Sequence, residues 1–169
     1  AALELLLTEL RTKVDLSRIA GVSGAGQQHG SVYLSDAIPA WSRATPLVEQ
    51  VRPLLSRKTA PIWRDSSTSV ECAELTQAVG GRTRMLELTG SLATERSTGP
   101  QIKKLANVDP AIWARPKEVQ LVSSFMASLL AGKSAAIDFG DGAGMNLLEL
   151  QRGTWNHALL EATAPELRS

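Results

Sequence analysis

A short apolar segment, Ile19-Ala20-Gly21-Val22-Ser23, runs straight into the glycine-rich stretch Gly24-Ala25-Gly26-Gln27-Gln28-His29-Gly30. This reads as a buried strand ending in a loop with little side-chain bulk, a junction typical of α/β sheets. The helical segments around it agree. Leu3, Leu6, Leu7, Leu10 and Val14 mark one buried face of an opening helix. Ser31 to Leu34 predicts a second strand. The stretch 35–60 contains Pro39, Pro46 and Pro53 and predicts mostly connection, with a short helix at Leu47 to Val51.

Further on, Ala60 to Asp65 predicts a short strand entering a helix. A capping box of Thr68 with Glu71 opens that helix, and Gly80-Gly81 closes it after Val79. Thr98 with Gln101 forms a second such box, with Pro100 in the first turn of a helix through Ala106. Asp109-Pro110 begins another short helix. Leu121, Val122, Phe125, Met126, Leu129 and Leu130 predict a well-buried helical face, entered from a strand at 118–122 and ended by Gly132. Ala136 to Asp138 predicts an extended piece and Gly140 to Gly144 a flexible loop. Trp155 to Ala162 predicts a last helix capped by Thr154. Strands alternating with helices define an α/β domain with a layered sheet.

The chain of 169 residues fits one domain, with 43% hydrophobic and 21% charged residues. Its net charge of +1, with both signs interspersed, gives no footprint of nucleic-acid or membrane-surface binding. The single cysteine, Cys72, excludes an intrachain disulfide, and no Cys/His metal spacing occurs, so no metal site is expected. A reducing, cytoplasmic setting follows. No stretch has the length of a membrane span, and residues 1–7 lack the basic region of a signal peptide. A first residue Ala1 inside an apolar helix pattern reads as the start of a fragment.

Several motifs carry chemistry only in appearance. Gly132-Lys133-Ser134 resembles the end of a phosphate-binding loop, but Ala127 stands where that motif needs glycine, and helix termination accounts for Gly132. His157 reads as part of a solvated helix face. Asp141, within the glycine-rich Gly140 to Gly144, either bonds a ligand hydroxyl or closes its own turn. Gln28-His29 is different, because it follows a buried strand between glycines that let a ligand approach. A neutral imidazole both donates and accepts, which suits a sugar hydroxyl, although spacing alone leaves a histidine satisfied by its local turn equally open. Arg96, two residues before Thr98, is either a multi-donor group reaching into a cleft or a surface ion-pair partner, and spacing favours the surface.

Taken together, five ordered segments resemble the FGGY carbohydrate kinases, in particular the D-xylulose kinases. They are Gly21 to Val32 (GVSGAGQQHGSV), Pro61 to Ser67 (PIWRDSS), Glu95 to Ile102 (ERSTGPQI), Leu121 to Leu129 (LVSSFMASL) and Ile137 to Leu148 (IDFGDGAGMNLL). The resemblance implies a ribonuclease-H-like (actin-like ATPase) domain, incomplete at its N-terminal strands. Residues 1–169 would be part of the N-terminal sugar-binding domain. It implies that His29 contacts the sugar, that Gln28 flanks it, that Arg96 reaches the substrate region, and that Trp63 and Asp65 line or support the same pocket. The Gln28-His29 pair, where glycerol kinases carry Arg-Glu, implies a ketopentose; a ribulose or another ketose stays open.

The resemblance also implies what lies elsewhere. The glycine-rich segment that approaches ATP and Mg²⁺, the aspartate base and the adenosine-binding domain have no match in this chain, so no catalytic residue is assigned. Phosphoryl transfer needs phosphates, metal and attacking hydroxyl together, and the isolated chain is expected to be inactive. The whole enzyme is expected to move the ATP γ-phosphate to a ketopentose hydroxyl, with a homodimer left open. The alternative is a non-catalytic sugar-binding or interaction module.

Overall fold

The computed structural model describes residues 2–168, and it is mixed helix and sheet. Its longest ladder pairs β1 (Ser31–Leu34) with β2 (Glu118–Leu121), antiparallel, in the register Ser31↔Leu121 through Leu34↔Glu118. A bridge from Leu34 to Leu55 extends this edge. A second ladder, not foreseen from the sequence, pairs β3 (Leu148–Glu149) with β4 (Thr154–Trp155). The layered sheet thus takes the form of two antiparallel pairs among the described residues.

The helices are α1 (Ala2–Lys13), α2 (Leu47–Val51), α3 (Ser69–Ala78), α4 (Arg82–Thr89), α5 (Thr98–Val108), α6 (Pro110–Trp113), α7 (Val122–Ala131), α8 (Phe139–Ala143) and α9 (His157–Thr163). The predicted α2 falls at its expected residues. Gly80 and Gly81, both at positive φ, end α3 as expected, and α4, which no local signal announces, follows immediately. Gly132 closes α7 in the left-handed region at φ 65°. Ser134, beside it, accepts from the Ile38 amide at 3.1 Å and donates to Glu118 at 2.7 Å. These residues are a helix end tied to the sheet.

The core lies where α3, α4, α5 and α9 meet the inner face of the β1–β2 ladder. Met85, Ile102, Leu105 and Leu159 are buried there against Tyr33, Leu121, Met145 and Leu147, and Leu75 of α3 is buried as well. Each such side chain contributes about 1.5–3 kcal/mol of burial. Gly99 shows how tightly α5 seats: its amide donates to the Met145 carbonyl at 2.9 Å, and a Cβ there would stand 2.9 Å from that same oxygen.

Several expectations are corrected. Residues 19–23 form no strand; Val22 is 73% exposed, and among the described residues no strand lies alongside to complete a ladder. Residues 60–65 also form no strand but a turn closed by the Asp65 amide on the Ile62 carbonyl at 2.9 Å. The helix α1 forms where its periodicity puts it, yet none of its described residues is buried. The apolar face read into α7 is not the buried one. Ser124 and Ser128 are buried instead, while Phe125, Met126 and Leu129 are half-buried and Leu130 is exposed. Ser128 suits that position because its hydroxyl lies 2.7 Å from the Ser124 carbonyl and 3.0 Å from the Gln120 amide oxygen, and it accepts from Ala135.

The caps differ too. Neither capping box forms. Thr68 donates to the Glu95 carbonyl at 2.6 Å, and the N-cap of α5 is Ser97, leaving the buried Thr98 hydroxyl without a hydrogen bond. The stretch 140–144 is largely the helix α8, capped by Asp138, rather than a flexible loop. Asn156, not Thr154, caps α9, because Thr154 is engaged in β4.

Candidate functional site

The glycine-rich loop before β1 lies flat against the start of α7. A Cβ on Gly26 would stand 2.6 Å from the Ser123 amide nitrogen, and one on Gly30 would stand 2.8 Å from Val122 Cγ2. The Gly30 carbonyl accepts from the Val122 amide at 3.2 Å. Only glycine permits that approach. Between these anchors His29 adopts φ 65°, a left-handed conformation costly for a side chain of its kind.

The half-buried imidazole is turned to Gly144, at the end of α8. A Cβ on Gly144 would stand 3.5 Å from His29 Cε1 and 3.8 Å from Nδ1. Asp141, one turn earlier, accepts a hydrogen bond from the Ser123 hydroxyl. Burial is the main cause that holds the His29 pKa below its ordinary value. The positive Arg96 adds to this, while the Gly144 backbone and the Asp141 carboxylate work in the opposite direction. The ring is therefore neutral near pH 7, with one donor and one acceptor nitrogen.

Arg96 reaches this place on a loop anchored from several sides. Asn146, 1% exposed, accepts from the Thr94 amide at 3.3 Å and donates to Ser91 Oγ at 2.9 Å and to the Leu92 carbonyl at 3.3 Å. The Glu95 carbonyl accepts from Thr68 at 2.6 Å and from Gln101 Nε2 at 2.9 Å. Thr94 and Ser97 hydroxyls meet at 2.7 Å. The Arg96 side chain itself is exposed.

Arg96 also lines a cleft of about 510 Å³ with Trp63, Asp65, Cys72, Thr94 and Glu95. Trp63 is 50% exposed with the Arg64 guanidinium over its ring, 5.7 Å from the centroid. Asp65 accepts from the amide and the hydroxyl of Ser67. Burial opposes its charge, but the Ser67 bonds, Gln101 and Lys104 outweigh that and hold the carboxyl below its usual range. Much of Asp65 is thus spent on its own turn.

The structure therefore brings Trp63, Asp65 and Arg96 into one cleft and sets His29 within electrostatic reach of Arg96. Gln28, which is exposed, and His29 both lie outside that lining, so the expected shared cleft of His29 and Arg96 is not formed by the residues that line it. The expected position of His29 past a strand containing Val22 is corrected, because the loop precedes β1 and follows no strand. Sequence reasoning missed Asn146 and Ser123. Asn146 carried one signal, since asparagine tolerates the left-handed backbone it adopts at φ 61°.

A larger groove of about 1090 Å³ runs between α5, α6 and the end of α9, lined by Lys103, Trp113, Glu118, Trp155 and Leu167 among others. It contains none of the expected site residues. Among the described residues no group of three or more His, Cys, Asp or Glu side chains could hold a metal ion. None of the described helices is long and apolar enough to cross a membrane.

The architecture has solved counterparts. It is similar to xylulose kinase from Rhodospirillum rubrum, with TM-score 0.73 and 21% identity over 93% of this chain and 29% of that one. It is also similar to xylulose kinase from Bifidobacterium adolescentis, with TM-score 0.67 and 17% identity over 89% of this chain and 33% of that one. The fold is accordingly the one these solved kinases share over that part of their chains.

The sequence places the chain more narrowly. It belongs to the FGGY family of carbohydrate kinases, N-terminal domain, whose sequence profile matches residues 1–169. It is 45% identical to the xylulose kinase of Mus musculus over 98% of this chain, and 44% identical to xylulose kinase 2 of Arabidopsis thaliana over the same share. The chain spans 31% of the length of each of these relatives.

Proposed function

We propose that this chain supplies the sugar-binding side of a D-xylulose kinase, which moves the ATP γ-phosphate to a hydroxyl of a ketopentose. The observation that carries this reading is the cleft lined by Trp63, Asp65 and Arg96, in a chain that is 45% identical to a xylulose kinase; His29 lies outside that lining, close enough to feel the Arg96 charge. The neutral His29 imidazole offers its free nitrogen as an acceptor to a hydroxyl. Arg96 offers several donors from the other side, and Trp63 offers an apolar face to the carbon chain. Asp65, bound to Ser67, stiffens the turn that carries Trp63, and Gln28 flanks the sugar from the solvent side.

ATP and Mg²⁺ would be held mainly by other parts of the whole protein, as the family resemblance implies. The nucleotide supplies the phosphoryl group. These residues bind and orient the acceptor hydroxyl and help exclude water from it.

The test is kinetic and uses the full-length protein. His29→Ala should raise the KM for D-xylulose about five-fold or more, since a hydrogen bond to a bound hydroxyl is worth about 1 kcal/mol. The KM for ATP should stay unchanged. Unaltered xylulose kinetics would remove His29 from the pocket. Sugar binding without any phosphoryl transfer would favour a non-catalytic sugar-binding module instead, and a preference for ribulose would reassign the substrate. The isolated 169-residue chain should release no ADP from ATP in the presence of xylulose and Mg²⁺.

A further inference from the structure

The Gly144 backbone meets the Nδ1–Cε1 edge of the His29 ring, and a ligand-binding imidazole needs a fixed orientation and a fixed proton. The structure offers a device for both. Ser123 sits at the start of α7, where a Cβ on Gly26 would stand only 2.6 Å from its amide nitrogen, so the loop that carries His29 packs closely on its backbone. Its hydroxyl is given to Asp141 Oδ2. Asp141 is itself fixed in the first turn of α8, because its amide and that of Gly140 both donate to Asp138 Oδ1, at 3.2 Å and 2.8 Å. One α8 turn later Gly144 meets the Nδ1–Cε1 edge of the ring. Three segments distant in sequence (the glycine-rich loop, the start of α7 and α8) thus close around one imidazole.

We propose that Asp141 and Ser123 are positioning residues for His29: Ser123 holds the Asp141 carboxylate beside the imidazole, and Asp141 keeps the ring proton on the edge facing Gly144. Nε2 is thereby left as an acceptor for a ligand hydroxyl. The groups facing His29 are then Arg96 from the loop before α5, Asp141 from α8 and the Gly144 backbone. Arg96 repels the imidazolium and Asp141 stabilises it, so removing either charge moves the ring in a direction fixed by its sign. Ser123 acts one step further back, through the carboxylate it anchors. The inference rests on the sugar-site reading for its purpose, but its geometry does not depend on which sugar binds.

The experiment uses full-length protein with histidine labelled at the ring carbon Cε1, whose His29 signal is assigned by its loss in His29→Gln. Asp141→Asn keeps an acceptor for Ser123 but removes the charge, and it should lower the proton affinity of His29 about three- to ten-fold. Ser123→Ala should move it the same way by less, and Ser123→Thr, which keeps the hydroxyl, should restore it. In parallel, Asp141→Asn should raise the KM for D-xylulose about three- to ten-fold while leaving the KM for ATP alone. An unchanged His29 titration in both Asp141→Asn and Ser123→Ala overturns the proposal. So does a shift equal in Ser123→Ala and Ser123→Thr, which would reflect packing instead. If the titration shifts as expected but the wild-type protein binds no D-xylulose, the positioning role stands and the sugar reading falls.

Discussion

Asn146→Ala is the perturbation with the most structure behind it. The side chain is buried and makes three hydrogen bonds, one at 2.9 Å to Ser91 Oγ and two longer ones at 3.3 Å to Leu92 O and from Thr94 N. The short bond is worth about 1 kcal/mol and each long one about half that, because their partners are half-buried and water can reach them in part. The backbone at φ 61° adds about 1 kcal/mol for alanine, which tolerates the left-handed region less well than asparagine. The total is about 3 kcal/mol. Asn146→Gly loses the same bonds but not the backbone preference, so it should cost about 1 kcal/mol less. Urea unfolding of the 169-residue chain, followed by tryptophan emission, reads both. With a slope of about 2 kcal/mol/M for a domain of this size, the alanine variant should unfold about 1.5 M earlier. A loss below 1 kcal/mol, or equal losses for alanine and glycine, would refute the account of Asn146 as the tether of the Arg96 loop.

Two further outcomes follow from titration and exposure. The folded His29 pKa lies below its ordinary value of 6.5, so the unfolded chain binds the extra proton first; stability is full above that value and falls as pH drops through 6.5 toward the folded pKa. Urea midpoints measured from pH 7 to pH 5 should decline less steeply in His29→Gln than in the wild type, and parallel slopes would contradict this. On α1, Leu5 is 72% and Leu6 61% exposed, an apolar face that invites association of the isolated chain. Leu5→Gln with Leu6→Gln should shift sedimentation toward monomer, whereas an already monomeric, cooperatively melting wild-type chain would count against the role of that face.

The sequence made the helices legible more readily than the sheet. Apolar spacing, Pro46 before α2, Asp109-Pro110 and the glycines after α3 and α7 are local signals, and the helices they mark are present. Strand status is not local. Ile19 to Ser23 has strand composition but no neighbour to pair with, whereas Leu148-Glu149 and Thr154-Trp155, too short to show alternation, pair because a turn brings them together. Burial misled for the same reason. The apolar residues of α7 fit a helical stripe, but its contact with the sheet is made through Ser124 and Ser128, whose hydroxyls satisfy polar neighbours that leucine would strand. Thr68 is the same lesson at a cap: its hydroxyl went to the Glu95 carbonyl, a partner 27 positions away, in preference to its own helix.

The site was legible in part, and what it withheld has a physical cause. Flanking glycines marked His29 as one of two open readings, while spacing put Arg96 on the surface and only the family resemblance drew it toward a substrate. Their support could not be read, since it runs through contacts between residues far apart in the chain, Ser123 with Asp141 and Asn146 with Ser91, Leu92 and Thr94. Among the described residues, the non-glycine positions with positive φ are His29 and Asn146. One bears the half-buried imidazole and the other tethers the loop of Arg96, so both segments rest on a left-handed backbone. Such strain persists only where the surroundings over-determine it. Here they do so differently: close glycine packing against α7 imposes it on His29, while hydrogen bonds hold Asn146. A substitution that loosens the glycine approach, such as Gly26→Ala, therefore disturbs His29 and leaves the Arg96 loop in place, while Asn146→Ala does the reverse.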